Sequence, residues 1–334
     1  MRPELITQSQ WIRYNFYLAM EHLIGLKRSE KYIRRYRNNL YQEILTNKGI
    51  ENRGHTLYTE DVICDSFENV VNDKEKLMEG PLVFKGAAKD WPCTKKWSKE
   101  YFRQYFAQFT VSLVGNPGLV DKENESKYKE ASMGEFIDSI GKDKHNYLRF
   151  SRIIDLNPDL KSDVDIDWLN RFRPKLARGG NLYLFMGEAG SKTDMHCAII
   201  QTLFFQVKGT KKWTIYAPNE RIFIDAIADR RPYFYTHAQP GKPDDPNFPL
   251  LKYAKKYEIV LEEGDILWFP SFYWHYVENL THSIGVTYKF TEFKWAFKMS
   301  KTLTTLFFLA TKPFLVASFY YNTFKNRDLL FDKT

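Results

Sequence analysis

From about Asn181 onward the chain is written as short apolar runs, four to nine residues each, separated by turn signals. Expected strands cover 182–185, 199–207, 211–216, 257–261, 266–269, 273–277 and 284–290. Gly209-Thr210 and Glu263-Gly264-Asp265 supply turn chemistry between them. Runs this short with no helix between most of them exclude a βαβ fold and predict a small barrel or sandwich. Residues 218–256, rich in Pro, Asp and Arg, interrupt the strand series as a long insertion. Insertions of that length in compact folds are often binding loops or lids.

The rest of the chain reads as flanking structure. Residues 8–47 carry Trp11, Tyr14, Leu18, Met20 and Leu23 at roughly helical spacing. The basic stretch 27–37 (KRSEKYIRRYR) follows and reads as a solvated helix face. Strands are expected at 81–84, 111–114 and 146–150, helices at 97–109 and 133–140, a strand and short helix within 60–80, and a loop over 115–130. The tail from Lys294 is helical again. Its apolar run from Leu303 to Tyr321 is interrupted by Lys312-Pro313, which argues against a spanning helix and for a buried or dimerising helix pair. Contact with a membrane surface is the lesser reading of the same tail.

With 334 residues, 43% of them apolar, the chain can bury a sizeable core. The net charge of +8 is spread along the chain, so nucleic acid is a weakly supported partner, and an acidic substrate or anionic surface fits equally well. Cys64, Cys93 and Cys197 form no CxxC and no even framework, which points to a reducing compartment. The N-terminus begins polar, without the apolar core of a secretory signal, and a cytoplasmic location is expected.

The chemistry centres on Thr193-Asp194-Met195-His196-Cys197-Ala198 and on His275. Non-haem Fe(II) sites use two histidines and one carboxylate, with open positions for oxygen and substrate. Side chains alternate along a strand, so His196 and Ala198 share a face and Cys197 points away. The position suited to the carboxylate therefore holds Ala198. Asp194 shares parity with His196 if the strand is extended there, and is the alternative third ligand. A lone His275 within an aromatic run would read as a packed core residue; paired with His196 it reads as a ligand.

These motifs carry a resemblance. Met186-Gly187-Glu188 leading to Thr193 and His196, the run 204–213 (FFQVKGTKKW), Ile215-Tyr216-Ala217-Pro218, and Gly264-Asp265-Ile266-Leu267-Trp268-Phe269-Pro270 into Trp274-His275 resemble the JmjC-like "cupin 8" group. That group includes the asparaginyl hydroxylase that inhibits hypoxia-inducible factor. The stretch 81–92 with Trp97 is similar to the group's entry motif, and the likeness covers roughly 80–292.

The resemblance implies a mainly β fold with flanking helices: a double-stranded β-helix (jelly-roll, cupin) core at about 180–292 within a domain at 56–292. An N-terminal helical segment at 1–55 and a C-terminal one at 293–334 flank it, the latter able to dimerise as in the related hydroxylase. It also implies Fe(II) on His196 and His275, with 2-oxoglutarate anchored by Lys211, fifteen positions after the first histidine. Thr193 and Tyr147 match positions that help hold the cosubstrate, and Thr202 points inward by parity with His196. Either Tyr288 or Lys289 falls where the hydroxylase carries asparagine, and a lysine there would favour bound anions.

Ala198 departs from the pattern, as in radical halogenases of the wider superfamily, which carry Ala or Gly at that position. The expected activity is oxidative modification of an unactivated C–H bond on a peptide, protein or carrier-bound substrate. Halogenation, with chloride in the place Ala198 leaves, stands ahead of hydroxylation with water or Asp194 completing the shell. A cupin binding module without catalysis is the alternative of another class. Within the insertion, Arg230-Arg231 and the run Tyr233-Phe234-Tyr235 read first as a basic patch over a small satellite core, and second as a substrate clamp.

Overall fold

The computed structural model describes residues 1–64, 66–114, 129–142 and 147–311. In chain order it contains α1 (Gln8–Ile24), α2 (Leu26–Tyr32), α3 (Arg34–Leu45), β1 (His55–Tyr58), α4 (Phe67–Asn72), β2 (Leu82–Phe84), α5 (Pro92–Lys96), α6 (Lys99–Phe106), β3 (Thr110–Val114) and β4 (Lys129–Ser132). There follow α7 (Met133–Ser139), β5 (Tyr147–Ser151), α8 (Ile153–Leu156), α9 (Pro158–Ser162), α10 (Ile166–Asn170), β6 (Arg178–Gly187), β7 (Lys192–Ala198), β8 (Gln201–Lys208) and β9 (Lys211–Tyr216). Last come β10 (Tyr233–Tyr235), β11 (Lys255–Leu261), β12 (Ile266–Phe269), β13 (Trp274–Asn279), β14 (Ser283–Thr291), α11 (Phe293–Met299) and α12 (Lys301–Phe308).

Two sheets face each other, ordered β1-β11-β9-β13-β7-β10 and β2-β12-β8-β14-β6-β5-β3-β4. Apart from the β9–β11 pair that brackets the insertion, successive core strands alternate between the sheets. That alternation is the double-stranded β-helix expected from the run of short strands. Apolar side chains fill three layers. Phe204, Trp213, Leu267 and Phe269 lie in the cluster between the sheets. Trp97, Phe102, Phe136 and Trp268 fill the layer between the larger sheet and α4–α10. Tyr14, Leu18, Cys197, Phe234, Leu303 and Phe307 join the smaller sheet, the insertion and the terminal helices. The central strands β8, β12 and β14 are thus buried on both faces, which is why they read as nearly continuous apolar runs rather than strict alternation.

Turn chemistry holds the register. Gly264 has φ +88°, and a Cβ there would lie 2.9 Å from the Lys89 Cα. The next residue, buried Asp265, accepts backbone N–H bonds from Gly86 and Glu262, each at 2.9 Å, and so pins the β11–β12 turn to the chain leaving β2.

Several expectations change. The single helix over 8–47 is three, because Gly25 turns the chain at φ +83° and the Arg230 guanidinium packs against it. Within the basic stretch Arg37 is buried, not solvated: it donates to Glu21 at 2.8 Å and to Asp225 at 2.7 Å. Six elements went unread: β1, the helices α5, α8, α9 and α10, and β10 inside the insertion. Strand β4 occupies the end of the segment expected as a loop, whose residues 115–128 lie outside the described residues. So do Asn146 and the part of the apolar tail run that holds Lys312-Pro313. Among the described residues no helix is long and apolar enough to cross a membrane.

Candidate active site

The inward faces of the core strands enclose a narrow cavity that opens at one end of the barrel. Alternation along each strand decides what lines it: Thr202 and Phe204 from β8, Lys211 and Trp213 from β9, His275 and Val277 from β13, Thr287 and Lys289 from β14. Strand β7 contributes Thr193, His196 and Ala198. Thr193 and His196 are three positions apart, which simple alternation would place on opposite faces. A β-bulge reconciles them. His275 pairs with His196 and Val277 with Thr193, so β7 carries one residue more than β13 over that span.

The bulge corrects the reading of Asp194. It shifts the parity upstream of His196, so Thr193 turns inward and Asp194 is exposed outside the cavity. Its carbonyl oxygen, not its carboxylate, meets His196. Cys197 faces outward into the helical layer, as alternation requires. Among the described residues no group of three or more His, Cys, Asp and Glu side chains converges as a metal site. The two imidazoles do converge, with ring centroids 4.2 Å apart.

Both rings are held alike. The Nδ1 of His196 lies 2.8 Å from the Asp194 carbonyl oxygen, and that of His275 lies 3.0 Å from the Tyr273 carbonyl oxygen. A carbonyl only accepts, so each Nδ1 carries the proton and each Nε2 keeps its lone pair. That is the arrangement metal-binding histidines adopt. Burial, then the neighbouring His275, holds His196 well below an ordinary imidazole pKa. Burial holds His275 down to about 4, and the charge of Lys289 adds to it. Both rings are neutral at physiological pH.

Lys211 is 1% exposed, not the surface turn lysine its neighbour Lys212 would suggest. Burial alone lowers its pKa to about 7. Its Nζ lies 4.6 Å from the centroid of Phe204 and 5.9 Å from that of Phe185. Among the described residues no carboxylate pairs with it, and no Asp or Glu lines the cavity. An unpaired buried ammonium is costly unless a ligand supplies the counter-charge. Gly285 makes its platform possible: a Cβ there would fall 2.2 Å from the tip of Phe204.

The other expected residues also line the cavity. Tyr147 is buried and lines the cavity together with Thr193. Thr202 is 5% exposed on the same face as His196. At the last barrel strand Lys289 faces inward, and Tyr288 faces out to the Asn170 side chain. The Lys289 ammonium sits over Phe150 at 4.5 Å.

Two polar groups escaped the sequence reading. The Thr287 hydroxyl and the Trp213 indole N–H are buried at the cavity without a hydrogen-bond partner. Parity with Lys289 along β14, and with Lys211 along β9, is the signal that identifies them. Three unmatched donors (Lys211, Trp213, Thr287) in a cavity that no acid lines among the described residues fit a dianionic ligand. Two imidazole lone pairs beside them fit a metal ion. Iron with 2-oxoglutarate is consistent with this donor set.

A family profile described as a cupin-like domain matches residues 69–295. The chain is 26% identical over 228 residues to lysine-specific demethylase 8 of Xenopus tropicalis, covering 67% of this chain and 51% of the relative. Its identity to JmjC domain-containing protein D of Dictyostelium discoideum is 24% over 232 residues, covering 64% and 52%. With the human bifunctional peptidase and (3S)-lysyl hydroxylase it is 24% over 251 residues, covering 62% and 76%. The chain spans about half the length of the first two relatives. Because the matched profile covers well over half of the sequence, and the barrel and its inward histidines sit inside that match, the chain belongs to the cupin-like domain family.

Proposed function

We propose that this chain is an Fe(II)- and 2-oxoglutarate-dependent oxygenase that modifies an unactivated C–H bond of a peptide or protein side chain. The observation that carries the proposal is the pair of Nδ1-anchored imidazoles opening on a cavity with the buried Lys211 ammonium. Bound there, the metal and the ketoacid together would supply the oxidising chemistry. The residues do the rest. His196 and His275 present neutral nitrogen lone pairs. Lys211 neutralises a ligand carboxylate, with the hydroxyls of Thr193, Tyr147 and Thr202 and the donors of Thr287 and Trp213 around it. Phe185, Phe204 and Phe269 keep water from the reacting centre. A protein substrate is supported by relatives whose names describe lysine demethylation and lysyl hydroxylation.

Ala198 leaves one coordination position to an external ligand. Water there gives hydroxylation. Chloride there gives radical halogenation, a second reading that draws on the methyl of Ala198 and the cation of Lys289 lining the same cavity.

Anaerobic Fe(II) titration with 2-oxoglutarate, with and without chloride, tests both. One Fe(II) per chain is expected. A spectrum shifted by chloride favours halogenation, and a chloride-independent hydroxylated product favours the oxygenase. No iron uptake would leave a cupin binding module. Ala198→Asp should tighten iron by at least about tenfold, roughly 1.4 kcal/mol, and remove any chloride effect. Unchanged metal affinity would count against the site.

A further inference from the structure

The helix pair that follows the barrel presents rings to solvent. Ala296, Leu303, Leu306 and Phe307 turn inward and join the layer over the smaller sheet. Positions between them look out: among the described residues Phe308 is 55% exposed and Phe297 48%, and Phe293 and Leu309 are exposed as well. Phe293 and Phe308 tie α11 and α12 into one face, their ring centroids 5.6 Å apart. Single exposed apolar residues are ordinary, but a contiguous set marks an interaction surface. The face is also positive. From Phe293 to Thr311 the sequence holds three lysines and no Asp or Glu. Lys298 pairs with Glu75. Lys294 and Lys301 are exposed, and the Lys301 ammonium lies 5.7 Å from the Phe297 ring centroid. Arg230 carries the face on to the N-terminal helices. Its carbonyl oxygen accepts the Thr311 N–H at 2.8 Å, just beyond α12, and its guanidinium packs on Gly25. Before Gly25 stands exposed Leu23, and after it α2 sets exposed Lys27, Arg28 and Lys31 against the single acid Glu30.

This face starts at the mouth of the cavity. The partly exposed lining residues His196, Ala198, Ile200 and Lys289 mark the open end, and the buried Tyr147, Thr193 and Lys211 mark the closed one. Strand β14 runs toward the open end, past Lys289 to Thr291, and Phe293 stands two residues on. Glu292 between them is fastened to the rim. Its N–H donates to the Gln201 side chain at 2.8 Å, and its carbonyl oxygen accepts from that side chain at 3.2 Å. Gln201 lies between Ile200 and Thr202, both part of the lining.

We infer that the α11–α12 face rests on an anionic lipid surface, with the cavity mouth at its edge opening beside that surface. The inference goes beyond the proposed function and does not depend on iron. Phenylalanine and leucine side chains enter the boundary between headgroups and acyl chains, while lysines lie along it and keep their ammonium groups at the phosphates. A peptide helix would need a groove to lie in, whereas the outer side of a helix pair is convex and suits a bilayer. In a symmetric contact with a second copy the same patch would meet itself, so Lys294 and Lys301 would approach their like-charged equivalents. Negative headgroups remove that repulsion.

The test is sedimentation of the full chain with vesicles of phosphatidylcholine alone and of phosphatidylcholine mixed with phosphatidylserine, at low and high salt. Binding to the anionic vesicles should be at least about tenfold tighter and should weaken as salt screens it. Lys294→Glu combined with Lys301→Glu should remove the preference for anionic lipid. Phe293→Ser at the rim and Phe308→Ser on α12 should each weaken binding several-fold. Tyr105→Ser, an exposed ring on α6 over the larger sheet, should leave it unchanged. Thermal melts of each variant separate loss of binding from loss of fold. No vesicle binding, equal binding to both vesicles, or binding untouched by the lysine and phenylalanine changes would overturn the inference. A loss in Phe308→Ser with none in Phe293→Ser would take the mouth away from the lipid and overturn that placement. A dimer seen by light scattering and dissociated by Phe293→Ser or Phe308→Ser, without vesicle binding, would give the face to a second copy and overturn the lipid assignment.

Discussion

Lys211 ties the chemistry of single residues to stability. With its pKa lowered to about 7 from 10.5, the folded ligand-free chain releases a proton that the unfolded chain keeps between those values. Where the unfolded state binds more protons, stability rises with pH. The ligand-free protein should therefore gain stability from pH 7 toward pH 10.5, and carry the full penalty of the buried charge below pH 7. Lys211→Met should stabilise it at pH 7 by on the order of 1–4 kcal/mol. The gap should close as pH rises through that window, measured by urea unfolding at several pH values. The same variant should lose the stabilisation that 2-oxoglutarate gives the wild type. A variant less stable at pH 7, or a gap constant with pH, would refute the lone-charge account. For His275, lowered to about 4, the unfolded chain again holds the extra proton, so its contribution is present above pH 6.5 and is lost as pH falls toward 4.

Strands carry the site, and their irregularities matter as much as their regular parts. The β7 bulge brings Thr193 and His196 to one face and sends Asp194 out; an unbroken β7 would do the reverse. On β14, Gly285 leaves room for the ring that carries Lys211. Gly285→Ala would drive Phe204 toward that ammonium, since Trp213 packs 4.8 Å away and blocks other movement. Overpacking of this kind costs about 1–3 kcal/mol. The expected result is a lower urea midpoint together with at least tenfold weaker 2-oxoglutarate binding. Normal binding in Gly285→Ala would mean that Phe204 is not the platform.

Across the whole molecule, the terminal helices and the insertion form one layer over the smaller sheet. Asp225, itself at φ +50°, joins them: it accepts from Arg37 and Arg34, each at 2.7 Å, and from the Tyr41 hydroxyl at 2.6 Å. Removing one partner of a buried ion pair costs about 3–5 kcal/mol. Asp225→Ala should show that loss in denaturant, with hydrogen exchange quickening first in α1–α3 and the insertion. Uniform destabilisation spread through the barrel would contradict this division into layers.

How much of this is legible in the sequence follows from the range of each signal. The short apolar runs 182–185, 211–216 and 284–290, the Gly-Asp turn before β12 and the shared face of His196 and Ala198 are local, because strand parity and turn chemistry depend on neighbouring residues, whereas Lys211 and the position shared by Tyr288 and Lys289 came from the resemblance. Tertiary structure alone decided the rest. Whether Asp194 reaches the cavity depends on a bulge set by pairing with β13. Whether Lys211 is buried depends on Phe204, Phe185 and the room left by Gly285. Whether Arg37 is solvated depends on an acid nearly two hundred residues away in the insertion. Burial and the electrostatics that follow from it are sums over neighbours brought together by folding, and a sequence order does not contain that distance information.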